Sequence, residues 1–474
     1  MGPTSRRSAL SAGKPRPAPR WRGDTVPGTY LETVIGRAWA RARPLSEIGA
    51  SADLGGVRGV DRRDAMTSWR RRPKGIRRAG LGFVVAGALA AGAFVGTAHG
   101  AQTGDATSGP TCGPNQIPRG DGCVSRAQAA RQINAIVART MRQKKLKSAI
   151  YSVRVGNRDV VTRARGTSMT GVPARPNMQF RIGSVAIAYL GTLALILQDE
   201  GALDLDEPIA RHLPNARNAD TITPRMLLLG TSGNRDFVGY GPFNRDFYAD
   251  PFRQFTEKEL IDYVYAQKPA CEPGACWGYS HGNFIILGQV MSRATGTPLR
   301  TLIQRKILRP AGLRNTASFS TARIPSPVLH AFTRERGTYE ESTFWNPSWT
   351  LARGAVMTSN IRDVARSARV IGAGRLLSPG AYRDLLAPTT ARFPMWNDRI
   401  FYGLGVVSAN DWVLQNPSFA GYFAAMAYQP SQRISIAVAS TKLAGAKIDP
   451  NYSNELVGTI SRYLSPGKGL PASR

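Results

Sequence analysis

The chain is poor in cysteine and histidine, four of each in 474 residues, and it has 31 acidic residues against 63 Lys/Arg. So few Cys and His exclude a disulfide-dense scaffold and any array of zinc fingers. No stretch repeats itself at a fixed period, which excludes a solenoid or propeller. No Gly-rich loop stands between a strand pattern and a helix pattern, so a phosphate-binding loop is excluded, and no alternation of basic and aromatic residues marks a nucleic-acid reader. What is present is enough apolar material, 42% with 8% aromatic, to bury a sizeable core and rule out wholesale disorder. At ~150 residues per domain the length allows two or three folded units.

The shortage of acid leaves a formal charge of +32. Residues 1–100 hold 18 of the Lys/Arg and 6 of the Asp/Glu, so the rest of the chain keeps +20. A balance this basic suits an anionic wall polymer or membrane surface as a partner, and no specific nucleic acid is expected.

Residues 1–65 are rich in Arg, Pro, Gly and Ala without a sustained apolar period, and read as a disordered or spurious extension. Met66 then opens a cationic run to Arg78, followed by the uncharged Ala79–Ala98 and the small residues of Ala98-His99-Gly100. That order, over 66–100, is the order of a secretory signal, with Met66 as the natural start and a mature chain from Ala101. A retained single-span anchor is the alternative, since about 20 apolar residues can cross a bilayer. Arg70-Arg71 also allows a twin-arginine signal. Either way the chain is exported to the periplasm, wall or medium.

Cysteine usage agrees with export. Cys112 and Cys123 are close in sequence, as are Cys271 and Cys276. Four cysteines allow three pairings; the two adjacent ones close short Pro- and Gly-containing loops and are expected. Zinc is the competing reading, but His212, His281 and His330 stand at no finger spacing, so neither a metal nor a cofactor is expected.

After a disulfide-closed linker over 101–126, apolar residues recur at helical spacing through Ala130, Ile133, Ile136 and Val137. Two strand-like runs, Ser148–Val155 and Arg158–Arg165, meet at Gly156-Asn157, a two-residue hairpin signal. Val185–Asp199 is apolar nearly all round and reads as a buried helix. From Gly201 to about Ala387 short helices and loops dominate. Strand patterns return at Val406–Ser408, Asp411–Leu414, Tyr422–Tyr428 and Arg433–Ser440, before a last helix, Asn451–Leu464, and a tail from 466. The order implies an α/β (α+β) fold: one antiparallel sheet flanked by N- and C-terminal helices, its halves separated by an inserted helical region, with the domain spanning 127–465.

Nine ordered blocks then come into view, among them Phe180-Arg-Ile-Gly-Ser184, Leu227-Leu-Leu-Gly-Thr-Ser-Gly233, Tyr279-Ser-His-Gly-Asn283, Gly354-Ala-Val-Met-Thr-Ser359 and Tyr402-Gly-Leu-Gly405. Together they resemble the serine β-lactamase-related family, which includes class C β-lactamases, D-alanyl-D-alanine carboxypeptidases, esterases and amidases. The resemblance implies the β-lactamase/penicillin-binding fold. It also implies a Ser nucleophile at a helix start, a Lys one turn later, a Tyr from a second motif, and a strand motif of His or Lys, any residue, then Gly.

On that pattern Ser184 takes the nucleophile's place and Tyr279 the Tyr's. Read alone, Ser184 is a helix N-cap and Tyr279 an ordinary core residue. The Lys position holds Ile187, which can neither accept a proton nor offer a charge, and losing a positioned base costs ~10²- to 10⁴-fold in rate. His281 replaces the usual Asn, and could either mimic it or serve as base to Ser184. The strand motif falls on Gln415-Asn416-Pro417, with Gln415 and Asn416 as substrate-binding candidates; Trp277 is a candidate cleft wall. Lys268 and Lys442 are the lysines that could approach in space. The acidic run Asp199–Glu207 reads as a solvated turn.

The sequence therefore points to an exported homologue of serine hydrolases, weakened by Ile187, that binds a small acyl, peptide or ester compound or a cell-wall fragment. Its rivals are an active hydrolase with His281 or a displaced Lys as base, and a basic surface-binding protein with a vestigial cleft.

Overall fold

The computed structural model describes residues 110–319, 321–447 and 450–471. The expected extension over 1–65, the expected signal or anchor over 66–100 and the first part of the expected linker lie outside the described residues. Within the linker, strands β1 (Gln116–Arg119) and β2 (Gly122–Ser125) pair as a hairpin that carries Cys112 and Cys123 at disulfide distance, and Ile117 is fully buried.

Ser125 caps helix α1 (Arg126–Lys144) by accepting from the Gln128 N–H, and α1 buries Ile133, Ile136 and Val137 at the spacing that puts them on one face. At roughly 2 kcal/mol for each buried aliphatic side chain, that face contributes several kcal/mol toward holding α1 on the sheet. Strand β3 (Leu146–Val155) turns back into β4 (Arg158–Met169) across Gly156-Asn157, and β5 (Val172–Pro173) folds against the end of β4. Helix α2 (Val185–Asp199) is buried on nearly every side, as its unbroken apolar sequence requires.

The inserted region contributes helix α3 (His281–Thr295) and several short helices, then helix α4 (Ile361–Gly372). Sheet strands resume as β6 (Ile400–Tyr402), β7 (Val407–Ala409), β8 (Trp412–Gln415), β9 (Tyr422–Gln429) and β10 (Ile434–Lys442), and helix α5 (Tyr452–Leu464) follows. The sheet runs β6-β7-β8-β9-β10-β3-β4-β5, every pair antiparallel, with Ser418–Phe419 as an extra partner of β9. The mixed architecture with its antiparallel sheet is the fold class expected. The pairing of β10 with β3 joins the two sequence halves, placing Ile436 opposite Val153 and Val438 opposite Tyr151. Residues beyond 465 also pack: Lys468 O accepts from the Trp412 indole and Leu470 is buried. Among the described residues no helix is long and apolar enough to cross a membrane.

Candidate functional site

Ser184 stands immediately before α2 with helical backbone angles, and its side chain makes no capping bond. Its Oγ instead lies 3.2 Å from the Tyr279 hydroxyl, so the hydroxyl that the sequence allows as a cap faces a residue 95 positions away. Gly183, at φ +43°, has no room for a side chain: a Cβ there would fall 2.6 Å from Cβ of Pro417. The strand motif Gln415-Asn416-Pro417 is thus brought against the backbone that presents Ser184.

Tyr279 precedes α3 and is buried, with 8% of its surface exposed. Burial is the main cause that pushes its phenol well above the ordinary range; the neighbouring Tyr402 and the carboxylate of Asp236 add to it, and the Ser184 bond opposes it. Among the described residues no cation figures among these causes. The position one turn into α2 from Ser184 is Ile187, fully buried and packed under Gly405, where a Cβ would fall 2.7 Å from the Ile187 carbonyl oxygen. Lys442 lies with its amine 3.8 Å from the Phe423 ring centre and 5.0 Å from that of Tyr452, and Lys268 is exposed, its carbonyl accepting from the Arg235 guanidinium.

His281 is the first residue of α3, and its ring meets that of Tyr279 edge to face with centres 5.0 Å apart. Its Nδ1 is 2.9 Å from Asp236 Oδ2, and its backbone N–H donates to Asp236 Oδ1 at 3.1 Å. Asp236 is the site residue that motif reading missed. Nothing local singles it out; it reaches His281 because the loop after Ser232-Gly233 is pinned to α3. The Ser232 hydroxyl donates to Asn283 Oδ1 at 2.7 Å, and the Asn234 amide donates to the same oxygen at 3.2 Å.

The same loop is clamped from the other side by the segment that carries the second cysteine pair. The sulfurs of Cys271 and Cys276 are at disulfide distance, Ala270 N–H donates to Gly233 O, Gly274 N–H to Thr231 O and Gly278 N–H to Gly230 O. Gly233 sits at φ +77° with the Cys271 carbonyl 2.2 Å from where a Cβ would be, so only glycine fits. Trp277 follows directly; it is half-buried, and its ring contacts Trp396 edge-on at 5.0 Å and Tyr402 at 5.7 Å.

Gln415 donates through Nε2 to the Gly405 carbonyl at 2.8 Å, so its amide braces the turn above Ile187. The Asn416 N–H donates to Gln415 Oε1, while Asn416 Oδ1 is buried without a protein partner. The acidic run lies elsewhere and is tied up in ion pairs: Asp206 with Arg225, Glu207 with Arg211 and Glu200 with Lys306.

A family model described as Beta-lactamase matches residues 133–455. Esterase EstB of Burkholderia gladioli is 26% identical over 336 residues, covering 62% of this chain and 82% of the esterase. The penicillin-binding protein PbpX of Bacillus subtilis is 26% identical over 215 residues, 45% of this chain, and the match spans about half (51%) of PbpX. Among solved structures, a D-stereospecific amidohydrolase from Streptomyces sp. superposes with a TM-score of 0.58 at 25% identity, over 66% of this chain and 94% of the amidohydrolase.

Proposed function

The chain belongs to the β-lactamase family, and on that premise we propose that it is an exported, catalytically impaired serine hydrolase homologue that holds a small acyl, peptide or ester compound, or a wall fragment, between Ser184 and Tyr279. The observation that carries the reading is the burial of Ile187 at the base of this pair. A serine hydroxyl becomes a useful nucleophile only when a neighbour takes its proton. The hydrogen-bond partner of Ser184 is a phenol that burial holds neutral, and a neutral phenol can orient the serine but cannot deprotonate it. The relatives suit a ligand of this class, since an esterase and a D-stereospecific amidohydrolase are among them. The two cysteine pairs are in keeping with export.

The test is covalent labelling with a fluorophosphonate and with a penicillin. The impaired reading expects labelling of Ser184 far slower than that of a family hydrolase measured alongside; rapid, stoichiometric labelling abolished by Ser184→Ala would overturn it.

The Asp236–His281 pair favours a second reading. An aspartate accepting from Nδ1–H fixes the tautomer that leaves the Nε2 lone pair exposed, the form in which histidine acts as a base. In that case the wild-type chain turns over activated esters, and His281→Asn abolishes the turnover while Ser184 remains intact.

A further inference from the structure

The excess positive charge is concentrated. Residues 126–175 contain twelve Lys/Arg and one acidic residue, Asp159. The fold gathers much of this at one end of the sheet. Helix α1 stops at Lys144, β3 starts at Leu146, and β10 ends at Lys442, paired with Leu146. Because Ser148 stands opposite Gly166, residues 167 and 168 fall level with the first residues of β3, and the chain from Met169 runs past its start before turning back at Gly171. Four chain segments therefore share one tip.

Arg142, Lys145, Arg165 and Lys447 are exposed on or beside this tip, and none forms an ion pair with an acidic group among the described residues. Among the described residues the acidic groups nearby include Glu455, held by Lys144 at 3.0 Å; Glu335, next to Arg334, whose guanidinium bonds the Ala444 carbonyl; and Glu341, paired with His330, whose N–H donates to Ser168 beside Met169. At the same end of the sheet Met169, Val172 and Leu443 stand exposed by 36%, 39% and 45%. They are three of the five large apolar side chains that stand exposed among the described residues. Met169 and Val172 close the β4–β5 hairpin against each other, and Leu443 follows β10 with its N–H bonded to the Lys145 carbonyl.

We propose that this tip docks onto an anionic lipid surface, with Met169, Val172 and Leu443 entering the headgroup boundary and Arg142, Lys145 and Lys447 meeting lipid phosphates. A soluble polyanion would satisfy the cations and leave the apolar side chains in water. An anionic bilayer uses both, since apolar burial and attraction to charged headgroups add in interfacial binding. The inference is independent of the chemistry at Ser184.

The experiment is hydrogen exchange on the full chain with vesicles of pure phosphatidylcholine and vesicles containing phosphatidylglycerol. Exchange is read locally, over 166–174 and 443–447, because the apolar Ala79–Ala98 segment can hold the chain on lipid of any charge. Slowing at both sites with the anionic vesicles alone, reversed by high salt, is expected. The triple variant Arg142→Gln, Lys145→Asn, Lys447→Gln should weaken the concentration dependence of that slowing on the order of a hundredfold, at about fivefold for each charge near the surface. Met169→Ser with Leu443→Ser should weaken it too, with no effect on retention by soluble polyphosphate. Equal slowing with neutral vesicles, no slowing at the tip, or the same slowing by polyphosphate with no effect of Met169→Ser and Leu443→Ser would each overturn the proposal.

Discussion

Asp236 holds His281 twice, through ring Nδ1 at 2.9 Å and through the backbone N–H at 3.1 Å, and so fixes both the imidazole and the first turn of α3 beside Tyr279. The carboxylate is buried, so a variant that keeps the shape and loses the charge tests its weight directly. Asp236→Asn should cost about 1.5–3 kcal/mol, the range for a hydrogen bond to a charged group. A fall in the denaturant midpoint at unchanged slope is the expected readout, and an unaltered midpoint would show that the pair contributes nothing to the fold.

Ile187→Lys should bring an amine one helical turn from Ser184. Burial there lowers a lysine pKa and favours the neutral amine that a base requires. Hydrolysis of an activated ester or a chromogenic β-lactam should rise at least ~tenfold, the low end of what one positioned base contributes. Ile187→Met should give no rise, and Ser184→Ala should abolish the gain. A folded Lys variant no faster than wild type would place the deficit in Gln415-Asn416-Pro417, where Pro417 offers no N–H.

Gly405 sits at φ +82° with the Ile187 carbonyl 2.7 Å from where a Cβ would be. Gly405→Ala therefore meets both backbone strain and a carbonyl that cannot move without unwinding α2. A loss of about 2–4 kcal/mol is expected, the sum of those two effects. Ile187→Ala, which removes the Cγ2 that lies 3.3 Å from the same point, should not rescue it, because the obstructing atom belongs to the backbone; rescue would mean that the isoleucine side chain is the obstacle.

The raised Tyr279 phenol makes stability depend on alkaline pH. The folded chain favours the neutral form, so this contribution is complete below the unfolded tyrosine pKa of ~10 and is lost as pH rises toward the higher folded value. Wild type should lose stability more steeply above pH ~10 than Tyr279→Phe does. Comparing the two chains cancels the other buried tyrosines, and parallel curves would show that Tyr279 ionises in the fold as it does in water.

Material recovered from a secreting host should begin near Ala101, because Ala98 and Gly100 supply the small residues at a cleavage site. N-terminal sequencing reads this directly, and a chain that still carries Arg78 would favour the anchored form.

The sequence by itself determined the elements and the family's motifs. The nearly all-apolar Val185–Asp199 read as a buried helix, Gly156-Asn157 read as a hairpin turn, and the Ser184, Ile187 and Tyr279 positions stood in order along the chain, because periodicity and turn chemistry act over a few residues. Tertiary structure decided what those residues meet. That Ser184 spends its hydroxyl on Tyr279 rather than on its own helix, that Gln415 braces Gly405, and that Asp236 reaches His281 all depend on long-range packing of segments that no local pattern relates. The basic tip follows the same rule: the charges were countable in the sequence, but antiparallel register carries Met169 past the start of β3, to the end of the sheet where β10 also stops.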